Sequence, residues 1–526
     1  MKKLLLILTG AILFPYLVNA GGIVTNTNQS ASWVRTITRD ASTDIDAVYF
    51  NPAGLVKLNN GFHFSLNSQT IFQSKDVTTD YRYLLPDSNK TFLGDVKAPV
   101  FPSIYAAYKF GKFAVSFGFN PIGGGGGAEL EGGIPMTDIL VADLRKAYEL
   151  TAGATDYRMD AYMKGTSTYF GYQAGLSYAI NDIISVYAGL RYVSAKNTNV
   201  GHLKDIELLL PDPAGWTPAS DILLSTANTV NGYATNLQNA ITAGLLGADD
   251  PISFELGLQL QMLGLDPAGY TNAIAVGALQ QVSAGYTAKA GLLAGQELDN
   301  VQKGSGFTPI VGVCLSLFDK LTIGAKYEFK TAIEMENETE QDFIFNYTAA
   351  GVPITMLPDG EKFNSDLPAM LAVGVNYKII KKLSASAGFR YYFDRSADYS
   401  KKVNGEYVAN DVVIDKNYWE ANGGLEYNIS DKLVVSAGYS YSKPGVSEDY
   451  QSELSFSLTA NTFGGGLGFR INENIMINLG CAYTMYSEGT KSYTHPYPGP
   501  GNLVFPVKDT YFKSNIIGAI GLDISF

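Results

Sequence analysis

From residue 61 onward, apolar and polar side chains alternate along the chain with a period of two. Within 321–330, Leu321, Ile323, Ala325, Tyr327 and Phe329 interleave with Thr322, Gly324, Lys326, Glu328 and Lys330. Successive side chains of a strand point to opposite faces, so this stretch reads as a strand with one greasy and one polar side. Residues 383–394 repeat it, with Leu383, Ala385, Ala387, Phe389, Tyr391 and Phe393 opposed by Ser384, Ser386, Gly388, Arg390 and Asp394. Residues 419–429, 433–441 and 516–526 do the same. The pattern predicts about fourteen strands, near 61–72, 101–110, 112–120, 166–180, 183–197, 307–318, 321–332, 367–379, 382–394, 417–429, 432–442, 453–470, 474–487 and 512–526. An even number of two-faced strands is what a bacterial outer-membrane β-barrel requires.

The connections sharpen this. Gly111, Asn181-Asp182, Asp319-Lys320, Ile380-Lys381, Ser430-Asp431 and Asn472-Glu473-Asn474 mark tight turns, and between these hairpins lie long segments at 73–100, 121–165, 198–306, 333–366, 395–416, 443–452 and 488–511. Short turns on the periplasmic side and long loops outside characterise transmembrane barrels, whereas a soluble sandwich has no reason to sort its loops. The chain stops on Phe526 after alternating Ile516, Gly518, Ile520, Leu522 and Ile524, which resembles the C-terminal signal of bacterial outer-membrane proteins and implies that the last strand ends, and the first begins, in the periplasm.

Two segments do not alternate. Residues 21–60 carry helix signals, notably Tyr49-Phe50-Asn51-Pro52-Ala53-Gly54-Leu55, in which Asn51 suits a helix cap and Pro52 a first helical position. These forty residues are expected to fold into the barrel as a plug, since a barrel of this size leaves room for one. In the long loop 198–306, Ala-, Leu- and Gly-rich runs follow Asp212-Pro213-Ala214-Gly215 and Asp266-Pro267-Ala268-Gly269, which are read as helix caps. The helices they precede are apolar enough to need a partner surface: each other, a second subunit or an apolar ligand.

Composition agrees with a barrel. Gly (55), Tyr (34) and Phe (27) far outnumber His (3), and aromatics favour strands and membrane interfaces. Residues 1–20 read as a secretory signal peptide: two lysines, a short apolar stretch, then Val18-Asn19-Ala20. No later apolar run is long enough for a transmembrane helix. Two cysteines, Cys314 and Cys481, exclude a disulfide framework. A net charge of -12 argues against nucleic acid as a partner.

The signal peptide, the stretch from Asp40 to Leu58 containing Asn51-Pro52-Ala53, about fourteen strands and the terminal Phe526 together resemble the FadL/TodX (OMPP1) family of outer-membrane transporters. Residues 365–378, Ser-Asp-Leu-Pro-Ala-Met and onward, also resemble the opening of a strand in that family. The resemblance implies a fourteen-stranded antiparallel barrel in the Gram-negative outer membrane, with an N-terminal hatch at 21–60, a barrel at 61–526 and a helical extracellular loop at about 198–306. It implies uptake of long-chain fatty acids or aromatic hydrocarbons past the lipopolysaccharide leaflet, by a monomer that needs no cofactor and has lipid and a hydrophobic small molecule as partners. Asn51, Pro52, Ala53 and Gly54 match the hatch motif that closes the route. A kink in the third strand opens the wall sideways in the family; here Gly118 and Pro121 are the residues best able to interrupt a ladder. The long insertion and the glycine run 123–127 depart from the family's pattern, and no ligand contact is carried over.

The register turns Arg191, Lys326, Glu328, Lys378 and Arg390 inward. Arg191, Lys326, Lys378 and Arg390 are candidates to hold a substrate carboxylate; the competing reading is that they pair with Glu328 or Asp394. His63 also faces the lumen, the one barrel-wall candidate for a Ser/His phospholipase, without a serine motif beside it. The scattered histidines and the two opposed cysteines speak against a transition-metal site. The acidic stretch 334–342 is read as a solvated loop, ahead of a weak site for divalent cations. Two other functions fit parts of the chain: a diffusion porin, which needs a charged lumen and an inward-folded loop but no plug, and an adhesive barrel, which uses the large loop but not the hatch.

Overall fold

The computed structural model describes residues 23–347, 353–403, 406–497 and 503–526, so the signal-peptide segment lies outside the described residues. Fourteen strands form the wall: β1 (Gly61–Asp80), β2 (Gly94–Phe110), β3 (Phe113–Glu131), β4 (Asp156–Ala179), β5 (Ile184–Leu210), β6 (Gln296–Leu317), β7 (Leu321–Glu328), β8 (Met370–Ile380), β9 (Leu383–Tyr392), β10 (Tyr418–Asn428), β11 (Leu433–Lys443), β12 (Ala460–Asn472), β13 (Ile475–Tyr486) and β14 (Val504–Ser525). Each pairs antiparallel with its chain neighbours, and β1 closes on β14 from His63↔Ser525 to Asp80↔Lys508. One chain therefore completes the barrel and leaves no edge to satisfy, as a sheet in lipid must.

The outward rows carry the greasy positions of the sequence pattern. Phe62, Leu66, Phe72, Val115, Leu176, Leu190, Val311, Leu467 and Ile520 are all exposed. Rings gather at two levels of this belt: Tyr108, Phe110, Phe113 and Tyr178 in contact near the tight turns, and Phe119, Phe170, Tyr172, Tyr192 and Phe307 further out. Aromatic girdles at both interfaces belong to a membrane barrel.

Several strands run well past their expected outer ends. In β1, 73–80 reads Gln-Ser-Lys-Asp-Val-Thr-Thr-Asp and still pairs with both β14 and the Asn89–Phe92 strand. Above the lipid the outer face has no need to be greasy, so the alternation fades while the ladder continues. The opposite error occurs at 453–459, read as strand. Leu454, Phe456 and Leu458 do alternate, but the segment folds across the mouth of the barrel. Leu454 packs with Leu130, Met163 and Leu298 on one side, while Phe456 and Leu458 pack with Val77 and Tyr511 on the other.

Helix α3 (Pro135–Ala152) also covers the mouth, placing Ile139 and Ala142 against Tyr81, Leu84 and Val507. In the large loop, α4 (Ala219–Thr242), α5 (Phe254–Met262) and α6 (Asn272–Leu293) pack on one another through Val230, Ala234, Leu260, Ala275 and Leu279. The two Asp-Pro-Ala-Gly motifs do not cap these helices. The Asp266 carboxylate accepts from the Ala268 N–H in a local turn, and Thr271 caps α6. Asp212-Pro213 lies in the reverse turn between β5 and the short strand Gly215–Pro218. The short side chain of Asp satisfies its own neighbourhood first, which makes a turn three or more residues before the helix. No described helix is long and apolar enough to cross a membrane.

Candidate functional site: a filled lumen and an interrupted ladder

Residues 23–58 occupy the periplasmic half of the lumen and are almost entirely buried. Two further short helices, α1 (Ala31–Thr36) and α2 (Ala47–Phe50) in chain order before those above, are followed by a 3₁₀ turn, Pro52–Lys57. Ser30 caps α1 by accepting from the Trp33 N–H at 2.9 Å. Pro52 stands at the first position of the 3₁₀ turn, as the sequence suggests, but Asn51 does not cap it. Its amide donates instead to the Ser42 carbonyl at 2.9 Å. This folds the motif back on the segment before α2, and Gly54 is required by that fold: a Cβ there would lie 2.6 Å from Asn51 Nδ2 and 2.7 Å from Ser42 O.

The wall grips the motif through its backbone. The Pro52 carbonyl accepts from Ser177 Oγ at 2.6 Å and the Ala53 carbonyl from Ser185 Oγ at 2.7 Å. Ala53 itself packs with Tyr187, Ile310 and Cys314. Pro52-Ala53 is thus fixed to β4 and β5 by two hydroxyl donors.

Three of the four candidate cations hold the hatch. Arg191 makes a two-pronged bond to Glu328, at 2.6 and 3.0 Å, and donates to Gln173, whose amide in turn donates to the Val48 carbonyl at 2.7 Å. Lys326 donates to Glu328 at 2.7 Å and to the Tyr49 carbonyl at 2.6 Å, 4.3 Å from the Tyr49 ring centre. Arg390 pairs with Asp40 at 2.8 Å and lies over the Phe50 ring. Each is fully buried, where a charge is tolerated only with a partner, and each has a carboxylate. They therefore correct the carboxylate-binding expectation: these guanidinium and ammonium groups are spent on the protein's own acids. Lys378 is exposed and sits one step from the tight turn after β8, away from the other three. The expected pairing with Glu328 is present, but Asp394 accepts instead from the Tyr399 hydroxyl and the Tyr418 N–H. The acid that answers Arg390 comes from the hatch, a link that strand periodicity has no means of showing. Arg35 is a further anchor, 2.7 Å from Glu426 on β10.

The ladder between β2 and β3 is broken. Pairing runs from Phe110↔Phe113 to Ile104↔Phe119, stops, and resumes at Lys97↔Gly127. Gly118 lies below the break, still paired with Tyr105 and Gln173 and close under Val48. Pro121 lies inside it. A proline lacks the N–H a ladder needs, and the run Gly123–Gly124 that follows shifts register against β4 as well.

Hatch residues fill the vacancy. Thr25 bridges Gly123, the Asn26 N–H donates to Ile122 O at 2.8 Å, and Gly124 N–H donates to Val24 O. The Pro121 carbonyl accepts from Gln29 Nε2 at 2.9 Å. On the β2 side, Ser103 Oγ and the Tyr105 hydroxyl both donate to the Gln29 carbonyl at 2.7 Å. For these few residues the N-terminal segment takes the place of β2.

His63 is buried near the periplasmic rim, with Nδ1 2.9 Å from Ser525 Oγ and Nε2 2.8 Å from the Asn59 carbonyl. A serine does stand beside it. The N–H groups of Ser525 and Phe526, however, are both bonded, to Asn474 O and Phe62 O, leaving none to stabilise an oxyanion. The pair ties the first strand to the last. Cys314 is buried and Cys481 exposed, and no described group of three His, Cys, Asp or Glu could hold a metal. The acidic stretch is a strand rather than a loop: Glu334–Gln341 pairs with β6 and with Lys362–Asn364, where Glu334 and Glu336 meet Lys362 and Glu338 meets Lys303.

A closed fourteen-stranded barrel, greasy outside and filled from its N-terminus inside, defines an outer-membrane channel of the plugged kind. A family model described as "Outer membrane protein transport protein (OMPP1/FadL/TodX)" matches residues 164–502, and the chain belongs to that family, in the outer membrane of Gram-negative bacteria. The matched span begins in β4, so the Asn51-Pro52-Ala53 motif and the broken ladder lie outside it. The fold is shared with a Pseudomonas aeruginosa FadL homologue, at TM-score 0.57 and 11% identity over 96% of this chain and 100% of that one. It is shared too with the Pseudomonas putida toluene transporter TodX, at TM-score 0.50 and 14% identity over 96% and 100%. No curated protein sequence matches the chain.

Proposed function

We propose that this protein carries hydrophobic small molecules, long-chain fatty acids or aromatic hydrocarbons, inward across the outer membrane and releases them sideways between β2 and β3. The observation that carries the reading is the interruption between 98–103 and 120–126, closed among the described residues by hatch residues 24–29. A substrate that dislikes water gains nothing from a water-filled pore; an exit through the wall keeps it among apolar groups throughout. The hatch motif, held to Ser177 and Ser185, keeps the barrel floor shut while the side route opens. It acts as a monomeric transporter rather than an enzyme, and in TodX a relative of the same fold is a toluene transporter.

A diffusion porin is the second reading, favoured by the segment 451–458 folded across the mouth. Against it, Arg191, Lys326 and Arg390 are consumed in fastening the hatch, which fills the periplasmic half of the bore. Uptake separates the two. Cells making the intact protein are expected to accumulate a labelled long-chain fatty acid or a small aromatic and no sugar, and a variant lacking residues 21–58 to pass sugar as well. Sugar uptake by the intact protein with neither apolar compound entering overturns the proposal.

A further inference from the structure

Above the hatch, four neighbouring strands turn amide and hydroxyl side chains inward at one level. Ser167 on β4, Asn197 on β5, Gln302 on β6 and Asn337 on the strand Glu334–Gln341 are successive cross-strand partners, all nine-tenths or more buried. Asn197 Nδ2 donates to Gln302 Oε1 at 3.0 Å, Gln302 Nε2 to Asn337 Oδ1 at 3.0 Å, and Asn337 Nδ2 to the Pro358 carbonyl at 3.1 Å. The next inward row repeats this: Asn199 donates to Asn300 at 3.1 Å, Asn300 to Thr339 at 2.8 Å, and Thr339 Oγ1 to the Leu357 carbonyl at 2.7 Å. A carbonyl can only accept, so the last amide of the first row must present its nitrogen, and each amide before it is fixed in turn. The first row therefore begins with an acceptor, Asn197 Oδ1.

That beginning is unanswered. Among the described residues, neither Asn197 Oδ1 nor Ser167 Oγ makes a hydrogen bond within 3.5 Å. Both residues line a cavity of about 590 Å³, its open mouth included, between the wall and the segments 356–363 and 400–407. The two charged lining residues cancel: Glu361 accepts from Lys402 at 3.2 Å and from the Tyr407 hydroxyl at 2.8 Å. The Tyr407 ring is exposed at the same place, with Lys402 Nζ 4.4 Å from its centre. A buried polar atom without a partner is costly, so an apolar occupant would leave both oxygens stranded. With the charge already balanced, an ion finds no unpaired counter-charge there. What fits is a neutral molecule rich in hydroxyls, which can donate to the amide oxygen and exchange bonds with the serine.

We propose that this cavity binds a neutral sugar ring, free or carried as the headgroup of a glycolipid, with its hydroxyls on Asn197 Oδ1 and Ser167 Oγ and its C–H face towards the Tyr407 ring. A site built to bond hydroxyls rejects a ligand that lacks them, since its own polar groups are then left unpaired. The proposal goes beyond the uptake reading and does not rest on it. Residues 23–58 fill the lumen beneath, so a free sugar held here is bound without being conducted.

The test titrates the full-length protein, in an uncharged detergent that carries no sugar, with methyl glucoside, methyl galactoside, octyl glucoside, octyl galactoside and octanol. Calorimetry is expected to show a glycoside binding at least roughly tenfold more tightly than octanol. Methyl and octyl glycosides of equal affinity identify a free sugar as the ligand; an octyl glycoside tighter by roughly tenfold or more identifies a glycolipid headgroup. Ser167 Oγ gives up no bond to the described residues, so Ser167→Ala is expected to leave the unfolding temperature in place while weakening glycoside binding roughly tenfold. Asn197→Leu, checked for a closed barrel by its heat-modifiable mobility on gels, is expected to abolish that binding. No glycoside binding, octanol binding as tightly as the octyl glycosides, or a glycoside affinity unchanged in either variant overturns the proposal. Glycosides that fail to bind while an apolar compound enters cells refute this site alone. Failure of every apolar compound to enter refutes the uptake reading and leaves this site standing.

Discussion

Replacing Gly438 with leucine is expected to drive the hatch out of the lumen while the barrel stays closed. Gly438 lies on the inner row of β11, where a Cβ would stand 2.6 Å from the backbone carbon of Thr36 and 3.0 Å from Ile37 Cβ. Overpacking a core usually costs about 1–3 kcal/mol because side chains can shift. Here the obstacle is main chain at the end of α1, which has nowhere to go: a Cβ at Gly464 on the next strand would lie 2.6 Å from Val34 O, and one at Gly374 2.6 Å from the Asp40 backbone carbon. The wall's own ladder through Gly438 needs no side chain, and the residue pairs with Gly424 and Gly464 on either side. Single-channel recording in planar bilayers is the readout. The variant is expected to conduct small ions at least roughly tenfold better than the parent, a folded barrel being verified by its heat-modifiable mobility. Parental conductance in a folded variant contradicts the packing account.

Removing the Asp40 carboxylate is expected to loosen the hatch by about 3–5 kcal/mol, the usual cost of stranding one partner of a buried pair. Arg390 would be left fully buried with, among the described residues, only the Glu420 carboxylate as an acidic partner, 3.9 Å away. Asp40→Ala should therefore speed amide hydrogen exchange across 31–57 by several orders of magnitude while the strands remain protected. Replacing the pair together, Asp40→Leu with Arg390→Met, is expected to return most of the protection, since an apolar pair of similar volume carries no stranded charge. Equal exchange in Asp40→Ala and the parent contradicts the anchoring role.

The wall of the barrel was readable because lipid imposes a local rule. In 433–441 and 516–526 every second residue must be greasy, and that rule needs no knowledge of the rest of the fold. Where lipid ends the rule ends, so the polar outer reaches of β1 and β5 passed for loops. Leu454, Phe456 and Leu458 obeyed the same rule for a different reason, facing apolar clusters inside the mouth. The plug was legible as a segment without alternation, but its contacts were not. Arg390 and Asp40 are 350 positions apart. Inward glycines paired across neighbouring strands, Gly324, Gly374 and Gly388 on β7 to β9 and Gly424, Gly438 and Gly464 on β10 to β12, were the available signal for where the hatch presses on the wall. Gly118 and Pro121 draw attention to the stretch where the ladder stops, beyond Gly118 and across Pro121, whereas the partner that fills it, 24–29, has no marker in strand periodicity.

The central claim is that the gap between β2 and β3 is an exit kept shut by the N-terminal segment. Because Asn120 Nδ2 donates to Gln29 Oε1 at 2.6 Å, Gln29→Cys with Asn120→Cys, in a chain with Cys481→Ser, places two thiols where the segment meets β3. With the tether oxidised, uptake of a labelled small aromatic is expected to fall to the level of cells lacking the protein, and to return on reduction. Uptake that is the same in the oxidised and reduced states would show that the compound leaves by another route.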